Sequence, residues 1–230
     1  MKLRPAKERG AANYGWLEAR YTFSFGEYYD PDWMGWRCLR VMNEDRISGN
    51  TGFPSHPHRE MEIITFMLKG ALSHEDSAGG SGVIRENEVQ VMSAGRGIVH
   101  SEKNAEKDEA HLYQVWLLPE TNGVDPTYDQ RAFPEEARKD DWQLLVSGNT
   151  EDDALHICQS AKIYRRIMTA EETVTVPIGE GRGHWVQILR GDLQINDLTM
   201  QTSDGVGIEE TAEYTITAKS ESEVLLFDLP

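Results

Sequence analysis

Four side chains suited to metal binding stand in this 230-residue chain as two closely spaced pairs, His56-Pro57-His58 and His100-Ser101-Glu102. In a β-strand, residues two apart point to the same face. Each pair therefore aims two potential ligands one way, and two neighbouring strands would bring all four onto one ion. Three imidazoles and a carboxylate leave part of an octahedral shell open, as a catalytic metal requires and a structural one does not. Either tripeptide alone would suit a surface turn or a strand end; it is the ordered combination that points to a metal. Glu62 continues the parity of His56 and His58, so spacing leaves two carboxylate candidates, Glu62 and Glu102. Ligand type does not choose the ion either: iron, nickel, copper, cobalt, manganese and zinc all accept imidazole and carboxylate.

The elements that must position these groups read as β. Short apolar runs over 38–42, 62–68, 89–92, 112–118, 184–189 and 223–229 are rich in β-branched and aromatic residues and separated by turn residues. They predict an all-β sandwich or barrel. Pro57 stiffens the backbone beside the first histidine pair, Gly95 and Gly97 permit a tight turn before the second, and Asn104 is placed to hold the turn that follows it. The acidic stretch Pro134–Asp141 is the expected helix, of one or two turns, and a divider between halves at 1–132 and 133–230. An internal repeat supports that division, with Leu68–Asp76 aligning on Leu189–Asp197, glycine on glycine at Gly70 and Gly191. At the same offset Pro177 and Gly179 stand where His56 and His58 stand, so the second half reads as the scaffold without its ligands. His74 aligns with Ile195 and reads as a structural, hydrogen-bonded imidazole. His111, His156 and His184 are isolated and read as surface or satisfied-core histidines, and Phe23, Phe25, Trp36 and Trp116 as core, some at a pocket mouth.

Composition narrows the partners. A formal net charge of −16 opposes direct nucleic-acid binding. Cys38 and Cys158 lie in apolar surroundings and are expected as buried free thiols, not a disulfide scaffold. No segment approaches the roughly twenty apolar residues of a membrane span, and residues 1–16 lack the apolar run of a signal peptide. A cytoplasmic protein is expected.

The spacing Gly52…His56-x-His58-x3-Glu62…Gly70 with Gly97-x2-His100-x3-Asn104 resembles the two cupin motifs. More narrowly, the chain resembles the pirin family. The resemblance is carried by Tyr21-Thr22-Phe23-Ser24-Phe25, Tyr28-Tyr29-Asp30-Pro31, His56-Pro57-His58-Arg59, His74-Glu75-Asp76-Ser77, Met92-Ser93-Ala94-Gly95, His100-Ser101-Glu102 and Gln114-Val115-Trp116. It implies two tandem cupin-type β-barrels (a bicupin) with few short helices and one divalent transition metal, iron(II) by expectation, in the first barrel only. It also implies the ligand set His56, His58, His100 and Glu102, leaving Glu62 in a supporting position. The implied activity is that of a quercetin 2,3-dioxygenase, in which a flavonol and dioxygen give a depside and carbon monoxide. Glu102 would serve as ligand and general base. The alternative implied by the family is a non-enzymatic, metal-containing regulator acting through protein partners. A monomer is expected, because a bicupin covers its own sheets. Two departures from the family pattern are Glu60, where aspartate or glycine is common, and Asn87, where a turn glycine is common.

Overall fold

The computed structural model describes residues 1–139 and 141–230. The first strands are β1 (Lys2–Arg4), β2 (Gly10–Asn13), β3 (Leu17–Tyr21), β4 (Leu39–Ile47), β5 (Thr51–His58) and β6 (Glu62–Lys69). They are followed by β7 (Ala71–Asp76), β8 (Ser81–Arg85), β9 (Glu88–Ser93), β10 (Ile98–Asn104), β11 (Ala110–Leu117) and β12 (Thr127–Ala132). The chain continues with β13 (Gln143–Ser147), β14 (Leu155–His156), β15 (Lys162–Met168), β16 (Thr173–Pro177) and β17 (Gly183–Arg190). It closes with β18 (Asp192–Ile195), β19 (Leu198–Gln201), β20 (Gly205–Ile208), β21 (Glu213–Ala218) and β22 (Ser222–Leu229). The helix expected over Pro134–Asp141 is only a 3-10 turn, Glu135–Arg138, and Asp140 lies outside the described residues. Pro134 gives that turn no side-chain cap, and Arg138 is drawn inward to an ion pair. A short acidic run without an apolar stripe cannot propagate a helix.

Two compact units result, one of Gly10–Phe133 with Leu155–Gln159, the other of Met1–Arg9, Pro134–Ala154 and Ser160–Pro230. In the first, a sheet in the order β12-β9-β6-β11-β4-β3-β2 accompanies a four-stranded sheet, β5-β10-β7-β8. Ile47, Met67 and Leu112 from the larger sheet pack with Leu72 and Ile84 from the smaller. In β10 the alternation is strict: Ile98, His100, Glu102 and Asn104 are buried, as a strand with one face inward requires. Asn104 Nδ2 donates to the carbonyls of Ile47 (3.0 Å) and Asp108 (2.8 Å), and its Oδ1 accepts from the Glu106 amide, fixing the turn after the His-Ser-Glu segment.

The second unit repeats the plan. Its larger sheet contains the run β20-β17-β22-β15, matching β9-β6-β11-β4, and its smaller sheet, β16-β21-β18-β19, matches β5-β10-β7-β8. Gly70 (φ 78°) and Gly191 (φ 89°) make the equivalent turns in the left-handed region that glycine alone enters freely. Register refines the comparison drawn from sequence. Phe53 faces Glu102 and His56 faces His100, while Val174 faces Ile216 and Val176 faces Tyr214. The counterpart of His56 is thus Val176, one residue earlier than simple alignment gives, because β5 carries an extra residue in a bulge at Pro54-Ser55. Val176, Tyr214, Ile216 and Ile195 are all apolar core of the second unit, which fills the position of the ligand cluster with side chains.

A buried charge cluster lies in the second unit. Glu223 Oε1 meets Arg165 Nε at 2.7 Å and Arg138 Nε at 2.8 Å, and Oε2 meets Arg190 Nε at 3.2 Å. Burial pushes the Glu223 carboxyl up, but the charges of Arg165 and Arg138 and the hydrogen bonds from Arg165 and Arg190 outweigh it and hold the pKa below the ordinary range. Removing the charge would leave guanidinium groups buried without an anion. Glu223→Gln should therefore lower the unfolding free energy by about 3 kcal/mol in chemical denaturation. Because the folded pKa is depressed, this stabilisation is complete above the unfolded carboxylate value of about 4.3 and disappears as pH falls through the folded value. The gap between wild type and variant should accordingly be constant toward neutrality and close in acid; a gap that widens in acid would contradict the assignment.

Candidate metal centre

His56 and His58 come from β5, an edge strand of the small sheet, and His100 and Glu102 from its neighbour β10. The edge position tolerates Pro54 and Pro57, which have no amide hydrogen to give a further strand. The bulge lets Phe53 and His56 both face inward although they are three apart, so Phe53 joins the row of Glu102 and His56 the row of His100. Gly52 allows the two strands to close, since a Cβ there would run into the Glu102 carbonyl.

The three imidazoles converge. Their ligand nitrogens all lie within 4.8 Å of one another, and Nε2 of His56 and His100 are 3.0 Å apart. Two nitrogens at about 2.1 Å from a common ion and at right angles would be separated by about 3.0 Å. Ring centroids lie 4.4 Å apart for His56 and His100 and 4.8 Å apart for the two pairs involving His58. His56 Nδ1 stands 2.8 Å from the Pro54 carbonyl, which can only accept, so the ring proton sits on Nδ1 and Nε2 presents a lone pair to the cluster. Burial, followed by the positive charge of neighbouring rings, lowers His58 to about 4 and His100 to about 3. At neutral pH these two rings are uncharged, as metal ligation demands. The donor set therefore fits a divalent transition metal.

Glu102 is 2% exposed, and both its oxygens accept from Gln114 Nε2 at 3.1 Å. Gln114 Oε1 in turn accepts from Trp116 Nε1 at 3.2 Å. Burial pushes the Glu102 carboxyl up to about 7, against the pull of the Gln114 hydrogen bonds. The other carboxylate candidate is engaged elsewhere: Glu62 Oε2 accepts from Ser93 Oγ (2.5 Å) and the Cys158 amide (3.1 Å). A cavity of about 420 Å³ opens onto His56, His58 and Glu102, with Trp16, Phe25, Phe53 and Trp116 among its walls. Phe25 and Trp116 are therefore pocket residues, whereas Phe23 is core.

The remaining expectations sort plainly. His74 is buried but is held by stacking on Tyr128 (4.7 Å, 17°), with the Asp76 carboxylate 3.9 Å away, not by a hydrogen bond. His111 binds Glu44 at 2.9 Å and His184 binds Tyr214 Oη at 3.0 Å, while His156 is exposed. Both cysteines are free, as expected, but half-buried instead of buried, because each sits in a loop or strand margin. Asn43 and Asp45 were not anticipated from sequence, yet both line the cavity. Their signal was available: they set two polar groups on the face of β4 that continues from Leu39 and Val41. Burial, then the negative charges of Glu102 and Glu44, push the Asp45 carboxyl up to about 8.

Known proteins share both halves. The family model for pirin matches residues 2–117, and that for the quercetinase C-terminal cupin domain matches residues 144–229. A protein of Escherichia coli K12 named quercetin 2,3-dioxygenase is 45% identical over 99% of this chain and 98% of its own. A pirin-like protein of Caulobacter vibrioides is 40% identical over 98% and 97%. The crystal structure of the bacterial pirin YhhW from Escherichia coli in complex with nickel(II) superposes with a TM-score of 0.95 at 44% identity, covering 99% of this chain and 98% of that one. With the same pair of seven- and four-stranded sheets in both units, the histidine cluster in the first and full-length likeness to these proteins, the chain belongs to the pirin family.

Proposed function

We propose that this protein is a metal-dependent dioxygenase that opens the heterocyclic ring of flavonols such as quercetin, with release of carbon monoxide. The observation that carries this reading is the convergence of three imidazoles, two of which, His56 and His58, line with the Glu102 carboxyl an aromatic-walled cavity of about 420 Å³, a size suited to a drug-sized planar ligand. The name borne by the Escherichia coli relative supports it. His56, His58, His100 and Glu102 are the proposed ligands, and iron(II) is the proposed native metal.

A bound divalent ion would supply Lewis acidity, lowering the pKa of a flavonol hydroxyl held beside it. The chain supplies the rest. Glu102, buried at the cavity wall, accepts the proton of the 3-hydroxyl. Gln114 holds both Glu102 oxygens, so the carboxylate keeps one orientation while its proton comes and goes. Trp116, packed edge-on against His58 at 4.8 Å and against Phe25 at 5.3 Å, walls the site against water. The ligand's ring plane is confined between these aromatic faces, leaving its heterocycle toward the histidines and the entering dioxygen.

Three outcomes test this. Aerobic quercetin should lose its flavonol absorbance and yield carbon monoxide with protein loaded with at least one divalent metal; silence across iron, nickel, copper, cobalt, manganese and zinc would overturn the reading. His58→Ala and His100→Ala should each reduce bound metal, measured by elemental analysis after dialysis, by about tenfold or more. Glu102→Gln should keep the metal on three imidazoles while turnover falls by about 100-fold or more. Undiminished turnover in that variant would remove Glu102 from proton transfer.

A further inference from the structure

Two polar residues of β4 stand in the cavity wall. Asn43 and Asp45 are each 3% exposed, both line the cavity, and each carries an Oδ1 without a hydrogen bond. Standing two apart, they share a face of the strand. Asn43 lies between Gln114 of β11 and Tyr21 of β3, and Asp45 lies one step along, between Leu112 and Ala19. The adjacent amide cannot serve them, because Gln114 Nε2 donates to Glu102 and its Oε1 accepts from Trp116 Nε1. An unmet buried acceptor costs about 1–3 kcal/mol, and two on one strand face call for a donor from outside the chain.

The cavity limits what that donor is. Trp16 and Phe53 meet at 5.1 Å and Phe25 and Trp116 at 5.3 Å, both edge-on, so the walls suit a flat ring. No lysine or arginine is among the residues described as lining it, so a carboxylate on the ligand near β4 would meet no counter-charge. A ring hydroxyl is neutral, donates, and matches an acceptor oxygen that Asp45 keeps in either ionisation state.

We propose that Asn43 and Asp45 form a hydroxyl-reading subsite that selects polyhydroxylated aromatic ligands over rings carrying only the hydroxyl presented to the histidines. The inference rests on the flavonol reading of the same cavity and adds a specificity determinant to it. A site built to accept hydrogen bonds rejects the analogue lacking the donor, because its own oxygens are then left desolvated and unpaired.

Anaerobic calorimetric titration of the metal-loaded protein with quercetin and with 3-hydroxyflavone reads this directly. Wild type should bind quercetin about tenfold or more tightly than 3-hydroxyflavone, the worth of one good hydrogen bond or more. Asp45→Leu and Asn43→Leu should bring that ratio to within about threefold. Asp45→Asn, which keeps an acceptor and the shape, should retain most of the preference and provides the comparison if a leucine variant does not fold. Equal affinities in the wild type, or a ratio unmoved by the leucine variants, would overturn the subsite. Selective binding without aerobic turnover would leave the subsite standing and overturn the dioxygenase reading; turnover of both flavonols with equal KM would do the reverse. Binding of neither overturns both.

Discussion

The antiparallel pairing of β5 with β10 is the constraint from which the site follows. It sets His56 against His100, and a single bulge brings Phe53 round to face Glu102. A one-residue slip would turn every one of these groups to the opposite face. The slip is prevented by features on both strands: prolines at the edge, a glycine at the close approach, and Asn104 fastening the turn beyond. The histidine cluster is thus carried on the sheet itself, and sites built on strands are held more precisely than sites on loops.

Polar groups inside a barrel must be neutral, paired or used. The unit holding the cluster does all three. His58 and His100 are kept uncharged by burial. One oxygen of Glu62 is paired, accepting from Ser93 and from the Cys158 amide. Glu102 is held by Gln114, and Gln114 by Trp116, a chain linking a cavity wall to the carboxyl that would move a proton. The second unit solves the same position with Val176, Tyr214, Ile216 and Ile195.

Much of this was legible in the sequence because β-structure writes its geometry with period two. The histidine pairs, the glycine-centred repeat and the strands around 62–68, 112–118 and 223–229 all declared themselves that way. Asn87 takes the left-handed conformation at φ 65° expected for it, and Glu60 does so at φ 50°, which explains why glycine suits that place. What could not be read was whatever depends on partners distant in sequence. The bulge at Pro54-Ser55 breaks the period and shifted the inferred counterpart of His56. The placement of β1 beside β20 follows from pairing 203 residues apart, Leu3 against Val206. Arg138 left its expected helix for Glu223, and Asn43 and Asp45 became pocket residues only through the strands on either side of them.

The central claim is that one ion is held by side chains from these two strands. An anomalous-difference map from crystals of the metal-loaded protein measures it most directly. The account predicts one peak in the first unit, about 2.0–2.2 Å from nitrogens of His56, His58 and His100 and from a Glu102 oxygen. A peak bound by Glu62, or none near the three imidazoles, would contradict it.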